Sequence, residues 1–294
     1  MPIPVGLNVW SRLVADVIPY LDGAAAPFGS LWFPDHVQYE DHTVAEGWTS
    51  LAFALARYPD KYCGHEVLCN SFRNPALLAK MAATAQALSG GRVVLGIGAG
   101  WHAEEYLAYG WPFPSARMRI AQLAEAIEAI KTLWTAAPAS YQGQHYQLTE
   151  AYCEPRPEPC PPIMVGGAGE RYLLRVVAQH ADWWNYVFSD PAAYTHKQAV
   201  LQQHCQAVGR DYDSITQVVR VGVLIAETER ELQRLQADPA VRPLDNGLIG
   251  TPDQVAETLR GIIKQGADRL TVNIADAPRL DGTALFASAV LPYL

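Results

Sequence analysis

A chain of 294 residues that is 50% hydrophobic and only 18% charged has the composition of a well-buried globular protein, which excludes a disordered or fibrous class. Its formal charge of −8 argues against a general affinity for nucleic acid or for an anionic membrane surface. The length could hold two smaller domains, but barrels of alternating strands and helices commonly use it as one, so a single domain spanning 1–294 is expected.

The N-terminus "MPIPVGLNVW" has neither a basic leader nor a small-residue cleavage site, and no stretch reaches the ~18 apolar residues of a membrane helix. A cytoplasmic protein is therefore expected. Five cysteines without a C-x-x-C pair suit reduced thiols better than a disulfide framework. Short apolar runs rich in branched or aromatic residues occupy 3–9, 30–33, 66–70, 92–98, 162–166, 182–187, 217–226 and 269–274, and helical patterning follows them.

After the third run, "NPALLAKMAATAQALSGG" reads as a helix capped by Asn74, with Pro75 in its first turn and Gly90 as its stop. Its apolar stripe is expected at Leu77, Leu78, Met81, Ala82, Ala85 and Leu88. "RMRIAQLAEAIEAIKTLW" repeats the pattern at Ile120, Leu123, Ala124, Ile127 and Trp134, with Glu125 and Glu128 on the other side. The proline-rich stretch 141–162 interrupts the rhythm as an excursion between the fourth helix and the fifth strand. Late in the chain, "TPDQ" offers Thr251 as cap, Pro252 at the first position and Gln254 to complete a capping box. Eight near-continuous apolar strands alternating with helices predict an α/β fold, a (β/α)8 TIM barrel.

In such a barrel the working groups sit just beyond the strand ends. "FPDHVQYEDH" places Asp35-His36 after the second run and Asp41-His42 six residues on. A metal hydrolase would need further ligands from the first strand, and "GLNVW" supplies none; the H-x4-D spacing alone is too short to indicate an acyltransferase. Asp35 beside His36 suits proton transfer near neutral pH, an aspartate orienting an imidazole, although a loop histidine with a structural bond would look the same. "GIGAGW" lacks the final glycine of a dinucleotide fingerprint, its place being taken by Trp101. The glycine-rich turn 166–169, followed by a helix, reads either as an anion cradle or as a tight turn. Trp10, Phe33 and Trp101, each near a strand end, are candidates for a flat or apolar substrate pocket, or for rim packing.

Taken together, "SLWFPDH", "VLCNSFRNPALLAKMAATAQALSGGRVVLGIGAGWHAEEYLAYGWPFP", "YQGQHYQLTEAYCEPRP", "PPIMVGGAGERYLLRVVAQHADWWN" and "LIGTPDQVAETL" resemble the luciferase-like flavin and deazaflavin oxidoreductases over nearly the whole chain. The Asp-His pattern is most similar to the branch that uses coenzyme F420. That resemblance implies a single barrel binding F420, with FMN as the alternative cofactor, and hydride transfer to a small organic substrate. The FMN alternative is a monooxygenase supplied with FMNH2 by a partner reductase; a flavin-binding barrel without turnover is the third reading. His36 and Asp35 would be catalytic. Leu68, Cys69 and Asn70 would support the ring beside an unusual peptide bond in the third strand. Gly98, Ala99, Gly100 and Glu104 would border the ring and its side chain, and Gly166, Gly167, Ala168 and Gly169 would hold the phosphate. Trp101 stands where sugar-phosphate dehydrogenases of the family carry a carboxylate. A homodimer is implied by the resemblance alone.

Overall fold

The structure is a computed structural model that describes residues 4–9, 14–39 and 43–294. Its strands are β1 (Val5–Asn8), β2 (Ser30–Phe33), β3 (Tyr62–His65), β4 (Leu68–Cys69), β5 (Val93–Gly98), β6 (Ala139–Gln142), β7 (Gln147–Ala151), β8 (Ile163–Gly166), β9 (Trp183–Val187), β10 (Thr216–Ile225), β11 (Leu248–Gly250) and β12 (Arg269–Ile274). The helices are α1 (Val14–Ala24), α2 (Gly47–Arg57), α3 (Pro75–Ser89), α4 (Ala103–Ala108), α5 (Ala116–Thr135), α6 (Leu173–His180), α7 (Pro191–Val208), α8 (Glu229–Gln236), α9 (Pro252–Lys264) and α10 (Asp281–Ala289). Parallel pairing runs β12-β1-β2-β3-β5-β8-β9-β10, and β10 pairs β12 in turn, so eight strands close a (β/α)8 barrel. Among the described residues no helix is long and apolar enough to cross a membrane.

Period-2 alternation sorts each strand between two cores. Leu31 and Phe33 of β2, Val219 and Val221 of β10, and Leu270 and Val272 of β12 face the helices in the main core, whereas Trp32, Val94, Met164 and Val218 form a separate cluster inside the barrel. Trp32 fits there because Gly6 and Gly64 carry no Cβ, which would collide with its indole. Its Nε1 donates to Ser30 Oγ at 2.8 Å, so a large ring is buried without leaving an unpaired donor.

The helix ends follow their sequence signals. Asn74 accepts from the Ala76 N–H at 2.9 Å, Gly90 closes α3 at φ +67°, and Thr251 with Gln254 forms the capping box of α9. The stripe of α3 departs from expectation. Leu78, Ala79, Ala82, Ala83 and Gln86 are buried, while Leu77 and Leu88 are exposed. A helical run that is apolar nearly all round carries no internal mark of which face meets the sheet. Met81, Ala85 and Leu88 instead line an apolar groove against Trp48, Ala52 and Leu55 of α2.

The excursion between α5 and β8 contains the antiparallel β6–β7 hairpin. The two polar residues expected on the far side of α5 hold it. Glu125 accepts from the Gln144 and His145 N–H groups at 3.0 and 2.7 Å, and Glu128 accepts from the Tyr141 hydroxyl at 2.7 Å.

The third barrel strand differs most from the sequence reading. The run at 66–70 is expected as one strand, but the ladder against β5 is made by β3 earlier in the chain and resumes at β4. From Gly64↔Val94 to Leu68↔Ile97, four steps on one side oppose three on the other, which is a one-residue bulge. The non-proline cis peptide Glu66–Val67 lies in it, just ahead of the "LCNS" segment where an unusual peptide bond is expected. Gly96 sits opposite, where any Cβ would strike the His65 carbonyl.

Candidate active site

The bulge positions the site. Val67 is turned toward the barrel mouth, and its side chain occupies the space that a Cβ on Gly98 or Gly166 would need. Three strands thereby form a flat-sided slot at the C-terminal end of the barrel, part of a cavity of about 380 Å3. Leu68, Cys69, Gly98, Ala99, Gly100, Gly166, Gly167 and Gly169 all line it, as do Asp35, His36 and Trp101. Gly100 at φ +75° and Gly167 at φ +124° adopt backbone that disfavours any other residue. A Cβ on Gly100 would also meet the Tyr106 hydroxyl and Cys69 Sγ.

His36 stands at the rim, its side chain 12% exposed, with Nδ1 at 3.2 and 3.3 Å from the Glu105 carboxylate oxygens. Glu105 also accepts from the Val37 N–H at 3.2 Å and is itself buried. The carboxylate that orients the imidazole is therefore Glu105 of α4, not the adjacent Asp35. Trp101, 64% exposed, meets the His36 ring edge to face with centroids 6.0 Å apart.

Asp35 has a different set of partners. Its two oxygens accept from Arg73 at 2.8 and 2.9 Å, and Oδ2 also takes the Cys69 N–H at 2.8 Å. Arg73 continues to Glu46, which caps α2. This buried pair ties the loop after β2 to the β4 end and places Asp35 as a positioning residue for the cavity wall. Cys69 Sγ lies 2.8 Å from the Tyr106 hydroxyl, and burial pushes its thiol up to about 11.

Four residues expected at the site lie elsewhere. Phe33 is 2% exposed in the core between barrel and helices, because alternation sends it to the face opposite Trp32. Asn70 is buried outside the cavity wall and donates to the Tyr146 hydroxyl at 3.3 Å. Glu104 is exposed, the helical register of α4 giving the inward position to Glu105. Ala168 packs against the main core rather than the cavity. Trp10, Asp41 and His42 lie outside the described residues.

Most of the floor escaped the sequence reading. Polar residues on inward positions converge there: Glu66, Asn185 and Arg220 line the cavity, and Asn8, Thr271 and Asn273 are buried behind them. Glu66 accepts from Asn8 Nδ2 at 2.7 Å, Thr271 Oγ1 at 2.7 Å and Asn185 Nδ2 at 3.0 Å. Burial raises the Glu66 carboxyl above the usual range, against the pull of the Arg220 charge and of these donors. Burial likewise lowers the Arg220 guanidinium, opposed by Glu66. An isolated polar residue within each apolar run, as in "VVRVGV" and "LTVNI", was the available signal.

Around the 166–169 turn, the Gly167 N–H is already spent on the Asn185 carbonyl at 3.1 Å. Glu170 faces away, bonded to Lys197 at 2.5 Å and His196 at 3.0 Å. Arg119 lines the cavity nearby, its Nε donating to the Gly100 carbonyl at 3.3 Å.

The luciferase-like monooxygenase family model matches residues 24–246. A glucose-6-phosphate dehydrogenase of Amycolatopsis mediterranei, named as F420-dependent, is 35% identical over 156 residues, 52% of this chain and 45% of its own length. A pyrimidine monooxygenase of Acinetobacter baylyi is 30% identical over 205 residues, 68% of this chain and 54% of its own. The chain thus spans about half the length of these two relatives. An F420-dependent secondary alcohol dehydrogenase solved with an F420-acetone adduct superposes with a TM-score of 0.87 at 17% identity, covering 100% of this chain and 99% of that one. The EDTA monooxygenase of Chelativorans sp. BNC1 gives 0.83 at 17% identity, covering 99% and 93%. At such identities these two structures carry the fold alone. With the family model spanning most of the barrel, the chain belongs to the luciferase-like monooxygenase family of oxidoreductases.

Proposed function

We propose that the chain is an F420-dependent oxidoreductase that moves a hydride between the deazaflavin and a small organic substrate. The observation that carries this reading is the slot of Val67, Gly98 and Gly166 with the His36–Glu105 pair at its rim. Two glycine backbones with the Val67 side chain laid against them form a smooth wall that suits a flat tricyclic ring. Gly100, Gly167 and Gly169 then leave room for the chain that leads from ring to phosphate. Because the Gly167 N–H is spent, the phosphate would rely on the later amides of that turn and on the Arg119 charge.

When bound, the deazaflavin would supply or accept the hydride. Everything else falls to the protein. Glu105 holds Nδ1 of His36, and the imidazole so oriented is the group that gives a proton to the reduced substrate or takes one from an alcohol. Trp101 covers the imidazole from the solvent side, and Asp35 with Arg73 keeps the Cys69 end of the wall in place. The glucose-6-phosphate dehydrogenase named as F420-dependent supports the deazaflavin.

The likeness to a pyrimidine monooxygenase supports a second reading, an FMN-dependent monooxygenase fed by a partner reductase. The test is a side-by-side fluorescence titration of the purified chain with oxidised F420, reduced F420 and FMN. F420 binding at least tenfold more tightly than FMN is the expected result; the opposite order replaces the first reading with the second.

A further inference from the structure

Arg220 is the inward residue of β10 between Val218 and Gly222, in register with Val187 of β9 and Thr271 of β12. It reaches the cavity, yet among the described residues its guanidinium has no hydrogen bond or ion-pair partner. The nearest opposite charge is Glu66, and both of that carboxylate's oxygens are already occupied by Asn8, Asn185 and Thr271. Three neutral donors thus satisfy the acid and leave the base over. A guanidinium held in a barrel interior without a partner is costly, and an incoming anion removes that cost.

We infer that Arg220 is the recognition point for a carboxylate on the substrate, so that the enzyme's substrates are small organic acids. The inference rests on the proposed oxidoreductase reading for its context and names the substrate class of that same site. Charge selects the carboxylate, since the planar fork of a guanidinium matches carboxylate and phosphate oxygens alike. A single cation beside the Glu66 carboxyl balances one negative charge, whereas a phosphate dianion would bring two against it. Asn185, which lines the cavity between Glu66 and the slot, would orient the acid toward His36 at the rim.

Benzoate against benzamide, and butyrate against butyramide, are titrated into the purified full chain by calorimetry without cofactor. The titrations are repeated by cofactor absorbance with F420 or FMN present. Each acid should bind at least tenfold more tightly than its amide. Arg220→Gln should abolish that preference while F420 and FMN affinities stay within threefold. Arg220→Lys should keep the charge and part of the preference, and serves where the glutamine variant fails to fold. Glu66→Gln keeps the shape, removes the neighbouring charge and should tighten the acids. Equal binding of acid and amide, or binding of neither, overturns the inference. So does an Arg220→Gln variant that loses cofactor affinity and keeps the acid preference, since the guanidinium would then serve the cofactor. Failure of the cofactor reading has a separate signature: the wild-type chain binds neither F420 nor FMN, whatever the acids do.

Discussion

Lowering the pH from 7 to 5 should destabilise the barrel through one buried imidazole at the bulge. His65 is fully buried, stacks on Trp48 with centroids 5.5 Å apart and has Nε2 at 3.1 Å from the Gly47 carbonyl. Burial drives its pKa from 6.5 to about 4; the Asp35 charge resists the fall and the Arg73 charge adds to it. The native state therefore refuses a proton that the unfolded chain accepts. Stability is complete above the unfolded value, falls as pH drops below it, and is fully lost near the folded value. The whole displacement corresponds to ~3 kcal/mol, of which about 2 kcal/mol falls between pH 7 and pH 5. Urea unfolding of the wild type and His65→Gln at both pH values isolates this part, since the glutamine can still donate to Gly47 but cannot titrate. The wild type should lose about 2 kcal/mol more than the variant over that interval. Equal losses, or a His65 ring resonance in NMR that titrates near the ordinary histidine value in the folded protein, would refute the reasoning.

Replacing Arg73 with Met leaves the Asp35 carboxylate buried without its guanidinium and should cost about 3–5 kcal/mol in urea unfolding. Gly100→Ala meets the Tyr106 hydroxyl and Cys69 Sγ at a positive φ, so stability should fall by ~1–3 kcal/mol and cofactor affinity with it, read by thermal unfolding and fluorescence titration. His36→Ala should lower kcat ~100-fold or more while cofactor affinity stays within threefold; unchanged kcat would remove the imidazole from proton transfer. Glu105→Ala should lower kcat in the same direction, and Glu105→Gln less, because the amide can still accept from His36 or Val37.

Strand positions and helix ends were legible in the sequence because each rests on local chemistry. Apolar runs, Asn74 before Pro75, Gly90 and the Thr251–Gln254 box act within a turn or two of themselves. The errors share another cause, which is rotation about an element's own axis. Phe33 instead of Trp32, Glu104 instead of Glu105, and Leu77 and Leu88 instead of Ala79 and Gln86 each differ by which face a neighbouring residue takes. Period-2 counting through "SLWF" separates the first pair, since one must enter the barrel if the other leaves it. Nothing local separates Glu104 from Glu105 in a helix as short as α4. The displaced third strand has a similar origin: "EVLCN" looks like an ordinary apolar run, and the bulge is visible only against the register of β5. Asp35 and His36 stand side by side in the sequence, yet their partners, Arg73 and Glu105, come from segments 38 and 69 residues away.

The plug of Trp32, Met164, Val94 and Val218 makes the chamber above it blind-ended. Arg220 and Asn185 line the same chamber as His36 and Trp101, so a ligand at the floor and one at the rim share a single cavity. Two ligands stacked in such a chamber cannot exchange independently. On the proposed reading, the ligand at the floor would enter before the one at the rim and leave after it, an order set by the architecture of the closed end rather than by relative affinities.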